Sequence, residues 1–180
     1  SRVDTTAEAL RAKLRESVGR FSRTQPVDDE VFRRFEERLD YVRGSFEDAS
    51  AYAALRSKLA ESERLLGTAG NRLFYLATPA SVFPTILENL RAAGLLCPAG
   101  APKDAPWSRV VIEKPFGRDL ASAEELNRLA AEVLDERQIF RIDHYLGKEA
   151  VQNILVFRFA NTLFQEAWSC HCIDSIQINA

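Results

Sequence analysis

An α/β fold, a parallel sheet with helices on its faces, is what the sequence predicts, and three observations predict it. Short strand-like runs recur at wide spacing: Leu73-Phe74-Tyr75-Leu76-Ala77, Arg109-Val110-Val111-Ile112, and Gln138 to Ile142. Between them lie longer stretches with apolar residues at helical period, opened by capping residues. Each run leads into polar or backbone-shaping residues, Thr78-Pro79, Lys114-Pro115 and Asp143-His144. Strands alternating with helices imply repeated βαβ units and therefore parallel pairing.

The elements follow in order. Thr5-Thr6-Ala7-Glu8 is a capping-box pattern, and Ala7, Leu10, Leu14 and Phe21 continue it as a helix over about residues 6–20. Pro26 interrupts the chain, Asp28 or Asp29 can cap a second helix, and Val31, Phe32, Phe35 and Leu39 give it one apolar face. Tyr41-Val42 before Gly44 reads as a short buried strand. Asp48 can cap a third helix with Tyr52, Leu55, Leu59 and Leu66 as its stripe, closed by the turn chemistry of Gly67 to Asn71.

The near-continuous apolar run 73–77 suits a strand covered on both faces. Ser81 can cap the next helix, Pro84 falls in its first turn where a missing N–H costs nothing, and Gly94 closes it. Residues 97–106, rich in proline, form a surface connection to the strand at 109–112. Ser122 with Glu125 reads as another capping box, for a helix running to about Arg137 with Leu126, Leu129, Ala130 and Val133 inward. After Lys148 the alternation changes: one helix to about Phe159, an irregular stretch to Ser169, then a strand from Ile173 to Asn179 with Ile176 and Ile178 on one face. The expected division is residues 1–147 in the first domain and 148–180 at the start of a second, α+β domain.

Composition narrows the class of function. A chain of 180 residues with 46% apolar content can bury one good core, and a net charge of -2 gives no electrostatic reason to expect nucleic acid or a membrane surface as partner. No apolar run reaches the ~18 residues of a membrane span, and Ser1 to Leu10 has neither the basic nor the apolar part of a secretory signal, which points to the cytoplasm. Three cysteines cannot pair completely, which suits a reducing compartment. Cys170, His171 and Cys172 alternate faces if extended and so do not converge on a metal ion. The absence of methionine, even at position 1, leads to the expectation of a piece of a longer protein.

Function concentrates in one stretch, Arg141-Ile142-Asp143-His144-Tyr145-Leu146-Gly147-Lys148-Glu149. Here a strand hands over to a helix N-terminus, where backbone N–H groups and the helix dipole favour an anion. Lys148 adds a full charge, and His144 and Tyr145 add directional donors. In open α/β sheets ligands bind beyond the carboxyl ends of the strands, so three such polar ends on one rim describe a cleft. Lys114, directly after a buried strand, belongs to that cleft more readily than to packing.

At these residues the sequence resembles the glucose-6-phosphate dehydrogenase family. RIDHYLGKE matches that family's substrate-binding signature without a gap, and Glu113-Lys114-Pro115-Phe116-Gly117-Arg118-Asp119-Leu120 is similar to its EKPFGRDL segment. The resemblance extends through residues 41–44, 71–79 and 157–161. It implies a Rossmann-like sheet and NADP-dependent oxidation of glucose 6-phosphate to 6-phosphoglucono-1,5-lactone, the first step of the pentose phosphate pathway.

The resemblance also implies roles. His144, Tyr145 and Lys148 would hold the substrate phosphate, Lys114 would contact sugar and coenzyme, and Asp143 would orient the catalytic base. Ala77 and Pro79, with Val42 and Arg43, would line the NADP side. Three things depart from the family or fall outside the chain. Pro79-Ala80 stands where the family has two prolines, no glycine-rich nucleotide fingerprint occurs, and neither His144 nor His171 matches the family's general base. The competing reading is a non-catalytic sugar-phosphate-binding or assembly module descended from such an enzyme. Homo-oligomerisation of the full-length protein is left open by the sequence.

Overall fold

The computed structural model describes residues 4–177 except 99 and 103. Three helices come first: α1 (Ala7–Phe21), α2 (Asp29–Glu36) and α3 (Ala49–Leu66). Each begins where a side-chain oxygen accepts a backbone N–H left orphaned by the first turn. Thr6 caps α1, Asp28 caps α2 and Asp48 caps α3. α3 ends at Gly67, whose φ of 66° is a left-handed conformation that glycine adopts without a Cβ penalty.

The sheet contains three parallel strands in the order β1 (Arg72–Leu76), β2 (Ser108–Glu113), β3 (Ile139–Ile142). Leu76 lies opposite Ile112 and Glu113 opposite Ile142, so all three strands end along one edge. Crossovers are made by α4 (Phe83–Ala92) and α5 (Leu120–Val133). The core is formed where these helices meet the sheet. Phe83, Ile86, Leu87 and Leu90 of α4 pack with Val110, Ile112, Leu126, Ala130, Leu134 and Tyr52 in one buried cluster.

Several expectations are corrected. The run at 73–77 is covered on one face by the described residues, not two: Phe74 and Leu76 turn toward the core, while Leu73 and Tyr75 stay exposed. On the Tyr75 face the Arg109 guanidinium lies 4.5 Å from the Trp107 ring centroid and 5.6 Å from that of Phe140, partial cover by cation–π contact. Tyr41 and Val42 do not join the sheet as a strand. Ser81 sits in a single 3-10 turn, Ala80–Val82, ahead of α4, whose N-cap Val82 makes no side-chain cap. Asp119, not Ser122, caps α5, with Ser122 as its reciprocal partner. α5 stops at Val133, and a second 3-10 turn, Glu136–Gln138, leads into β3.

The last part of the chain is helical and little buried. α6 (Glu149–Phe159) packs on the short α7 (Thr162–Gln165), which occupies the stretch expected to be irregular. Phe157 stacks on Phe164 with centroids 4.1 Å apart, and Trp168 meets Phe157 edge-on. Cys170 to Cys172 form a turn, with the Cys172 N–H donating to the Ser169 carbonyl at 3.0 Å. The expected strand is not formed by residues 173–177; Ile178 and Asn179 lie outside the described residues. A strand exists only through a ladder, and among the described residues this segment pairs with no neighbour. Among the described residues no helix is long and apolar enough to cross a membrane.

Candidate active site

The common edge of the strands brings Thr78, Glu113, Lys114, Asp143 and His144 onto one rim. The loop after β2 is shaped by Gly117, at φ 98°, where a Cβ would approach the Ala123 backbone nitrogen to 2.6 Å. Only glycine allows the Phe116-Gly117-Arg118 turn to pass so close to the start of α5. The Lys114–Pro115 peptide is cis.

Lys114 and Asp143 join the ends of β2 and β3 through a direct bond between Nζ and Oδ2. The other oxygen of Asp143 accepts the Tyr145 N–H at 3.0 Å, so one carboxylate fixes both the lysine and the turn into the signature stretch. The Lys114 ammonium first, and then the Tyr145 N–H, hold the Asp143 carboxyl below the usual carboxylate range. The pair is asymmetric in exposure: the Lys114 side chain is 62% exposed and that of Asp143 23%. The ammonium thus faces outward from a carboxylate anchored beneath it.

Tyr145 and Lys148 form the outer part of the site. Lys148 is the N-cap residue of α6 and its Nζ lies 4.5 Å from the Tyr145 ring centroid, while its backbone N–H donates to the Tyr145 carbonyl at 3.1 Å. A lysine at a helix N-terminus opposes the helix dipole, and an anion placed there relieves that opposition. The stretch 143–148 therefore presents cationic and donor groups on a short, internally bonded turn.

The residues expected to line the coenzyme are not drawn together in the same way. Val42 and Thr78 share the wall of a cavity of about 600 Å³ with Tyr75 and Phe46. The Thr78 hydroxyl oxygen is buried with no partner among the described residues, a polar atom that a hydrogen-bonding ligand would satisfy. Ala77 and Pro79 are exposed beside it at the end of β1. Arg43 instead bonds Asp4 at 2.7 Å.

Two rim residues were not singled out by sequence reasoning. Tyr75 donates its phenolic O–H to Glu113, and that carboxylate keeps the Tyr75 proton in place to higher pH than usual. Glu113 in turn lies 3.8 Å from His144 Nε2. The only available signal for Glu113 was its place at the head of the EKPF block. Tyr75 gave none, because its partner is set by strand register.

A parallel sheet with crossover helices and a polar rim beyond its carboxyl ends defines a Rossmann-like α/β unit. Residues 1–153 match the family profile described as glucose-6-phosphate dehydrogenase, NAD binding domain. The chain belongs to the glucose-6-phosphate dehydrogenase family. It is 44% identical over 179 residues to glucose-6-phosphate 1-dehydrogenase of Chlamydia pneumoniae, covering 99% of this chain and 35% of that protein. It is 49% identical over 153 residues to glucose-6-phosphate 1-dehydrogenase 2 of Mycobacterium tuberculosis (strain ATCC 25618 / H37Rv), covering 85% of this chain and 29% of that one. A solved glucose-6-phosphate dehydrogenase in complex with its substrate superposes with a TM-score of 0.77 at 34% identity, over 94% of this chain and 34% of that one. The chain spans about a third of the length of the curated relatives it matches.

Proposed function

We propose that the protein to which this chain belongs oxidises C1 of glucose 6-phosphate with NADP as acceptor, releasing 6-phosphoglucono-1,5-lactone, the entry reaction of the pentose phosphate pathway in the cytoplasm. The observation that carries the reading is the Lys114–Asp143 bond, which ties the family's two signature blocks into one rim at the carboxyl ends of β2 and β3. In this reading residues 1–147 serve the coenzyme and residues from 148 begin the substrate domain.

His144, Tyr145 and Lys148 bind the phosphate, using the donors and the charge gathered at the start of α6. Lys114, turned outward, contacts sugar and coenzyme. Asp143 orients a histidine base contributed from outside this chain and stabilises its imidazolium form as the C1 hydroxyl proton is withdrawn. Ala77, Thr78, Pro79 and Val42 flank the coenzyme, and the unpartnered Thr78 hydroxyl fits a hydrogen-bonding ligand there; Arg43 reaches it only by leaving Asp4. The nicotinamide, when bound, supplies the acceptor for the C1 hydride.

The test compares two purified proteins for glucose-6-phosphate-dependent NADPH formation. The full-length protein is expected to be active, and more so with NADP than with NAD. The 180-residue chain is expected to be inactive, since a positioned base is worth about 10² to 10⁴ in rate and the glycine-rich phosphate cradle lies outside it. Activity of the chain alone, or none in the full-length protein, overturns the reading.

A further inference from the structure

Glu113 is the last residue of β2, and its Oε1 has two neighbours. Tyr75 donates its phenolic O–H to it from β1, and His144 Nε2 lies 3.8 Å away in the segment after β3. At that distance the second contact is too long for a hydrogen bond, and a ligand that turns the ring can tighten it. The Glu113 side chain is 29% exposed and that of His144 66%, so the carboxylate is the anchored partner and the imidazole the outward one.

A carboxylate beside groups that gather an anion is unfavourable unless it acts through one of them, because like charges repel. Asp143 meets that condition with Lys114 as its counter-ion. For Glu113 the one basic group in ion-pair range among the described residues is His144. Tyr75 restricts the carboxylate from the opposite side, since a bond from a phenol on the neighbouring strand fixes the rotamer of Oε1. An imidazole whose Nε2–H turns to a fixed carboxylate has its ring orientation set by that acceptor, and its imidazolium form then carries a second N–H, at Nδ1, that can donate to a phosphate oxygen.

We propose that Glu113, held by Tyr75, is a positioning residue that aligns His144 toward the phosphate of the substrate. The inference rests on the reading of His144 as a phosphate ligand. Tyr75 belongs to the same device, giving a relay Tyr75–Glu113–His144 that crosses all three strand ends.

The test is a binding cycle on the full-length protein, with dissociation constants for glucose 6-phosphate measured by calorimetry without coenzyme, and for NADP separately. Glu113→Gln is expected to weaken glucose 6-phosphate by about two- to fivefold, the range of an exposed ion pair, and to leave NADP affinity within about twofold. In a His144→Ala background the same substitution is expected to change nothing, because the group it positions is gone. Tyr75→Phe should weaken glucose 6-phosphate in the same direction and keeps the inference testable if Glu113→Gln does not fold. An equal loss with and without His144, an equal loss for both ligands, or no loss in either variant overturns it. Wild-type protein that fails to bind glucose 6-phosphate removes the substrate reading and this inference together; wild-type binding with a flat cycle removes this inference alone.

Discussion

β2 and the middle of α6 are similarly apolar, and the fold treats them in opposite ways. Val110, Val111 and Ile112 are 0%, 8% and 1% exposed, whereas Ile154, Leu155 and Val156 are 51%, 49% and 60% exposed. β2 has a parallel neighbour on each side, with α4 and α5 packed against its core face. α6 rests on the four residues of α7. Its apolar residues, Val151, Ile154, Leu155, Val156, Phe157 and Phe159, run round the helix and do not form one stripe, a pattern suited to burial within a larger body. Apolar content thus predicts burial, but the burying surface has to be within reach. The sheet unit supplies that surface to itself; the segment from Glu149 does not. The rim residues 143–148 lie at the junction, so substitutions there and on either side test how separable the two regions are.

The largest effect is expected at Asp143, where chemistry should be lost while the core stays whole. Asp143→Asn keeps an oxygen for the Tyr145 N–H but loses the charge that pairs with Lys114. In the full-length enzyme kcat should fall by about 10² to 10⁴ with KM for glucose 6-phosphate nearly unchanged. If Asp143 only shapes the turn, kcat per folded molecule stays near normal and the melting temperature drops instead. Acid titration of stability supplies a second readout on the same variant. The native carboxyl titrates lower than in the unfolded chain, where the value is about 3.9. Its contribution is therefore complete above that value and lost as pH falls through the native one. The asparagine variant lacks this limb.

Next in size is the contrast between core and terminal helices, measured by urea unfolding of the 180-residue chain. Phe83 is 1% exposed and Leu163 84%. Phe83→Ala should cost about 3–5 kcal/mol, and Leu163→Ala should stay within about 0.5 kcal/mol of wild type. Equal costs would mean that residues after 148 hold a core of their own, and the contrast between β2 and α6 would fall.

What the sequence made legible was local. The caps at Asp28 and Asp48 lie within a few residues of the N–H groups they satisfy, while α1 is capped by Thr6 and not by the Thr5 that heads the Thr5–Glu8 box, and the parallel sheet followed from alternation alone. The start of α5 was misread because Asp119-Leu120-Ala121-Ser122 and Ser122 to Glu125 both carry capping-box spacing. The positive φ of Gly117 brings the chain in at Asp119. The rim was visible as three polar strand ends, but its wiring was not. Tyr75 meets Glu113 only because of the β1–β2 register, and Tyr41–Val42 had strand composition without a place in the sheet. Such pairings are made between segments far apart in the chain, where periodicity is silent.

The smallest of these effects is expected at Lys148, where the two regions join. Lys148 is the N-cap of α6 and lies over the Tyr145 ring, so a structural role competes with a binding one. The structural role is weak on two counts. A cation–π contact at an exposed site is worth about 0.5–1 kcal/mol, and a lysine at a helix N-terminus is opposed by the dipole. If folding were its purpose, Lys148→Ala would lower the melting temperature and leave both Michaelis constants, per folded molecule, alike. If Lys148 binds the substrate phosphate as proposed, losing that charge-assisted bond costs about 1.5–3 kcal/mol and falls on the substrate alone. KM for glucose 6-phosphate should therefore rise roughly tenfold to a hundredfold in the full-length enzyme, with KM for NADP nearly constant. Tyr145→Phe separates the remaining possibility, because it keeps the ring under the ammonium and removes only the hydroxyl. If the ring contact is what positions Lys148, Tyr145→Phe leaves KM for glucose 6-phosphate near wild type. A rise in that variant too means that the phenol binds phosphate beside the lysine. Equal rises in both Michaelis constants for Lys148→Ala would make the residue a part of the junction and not of the site.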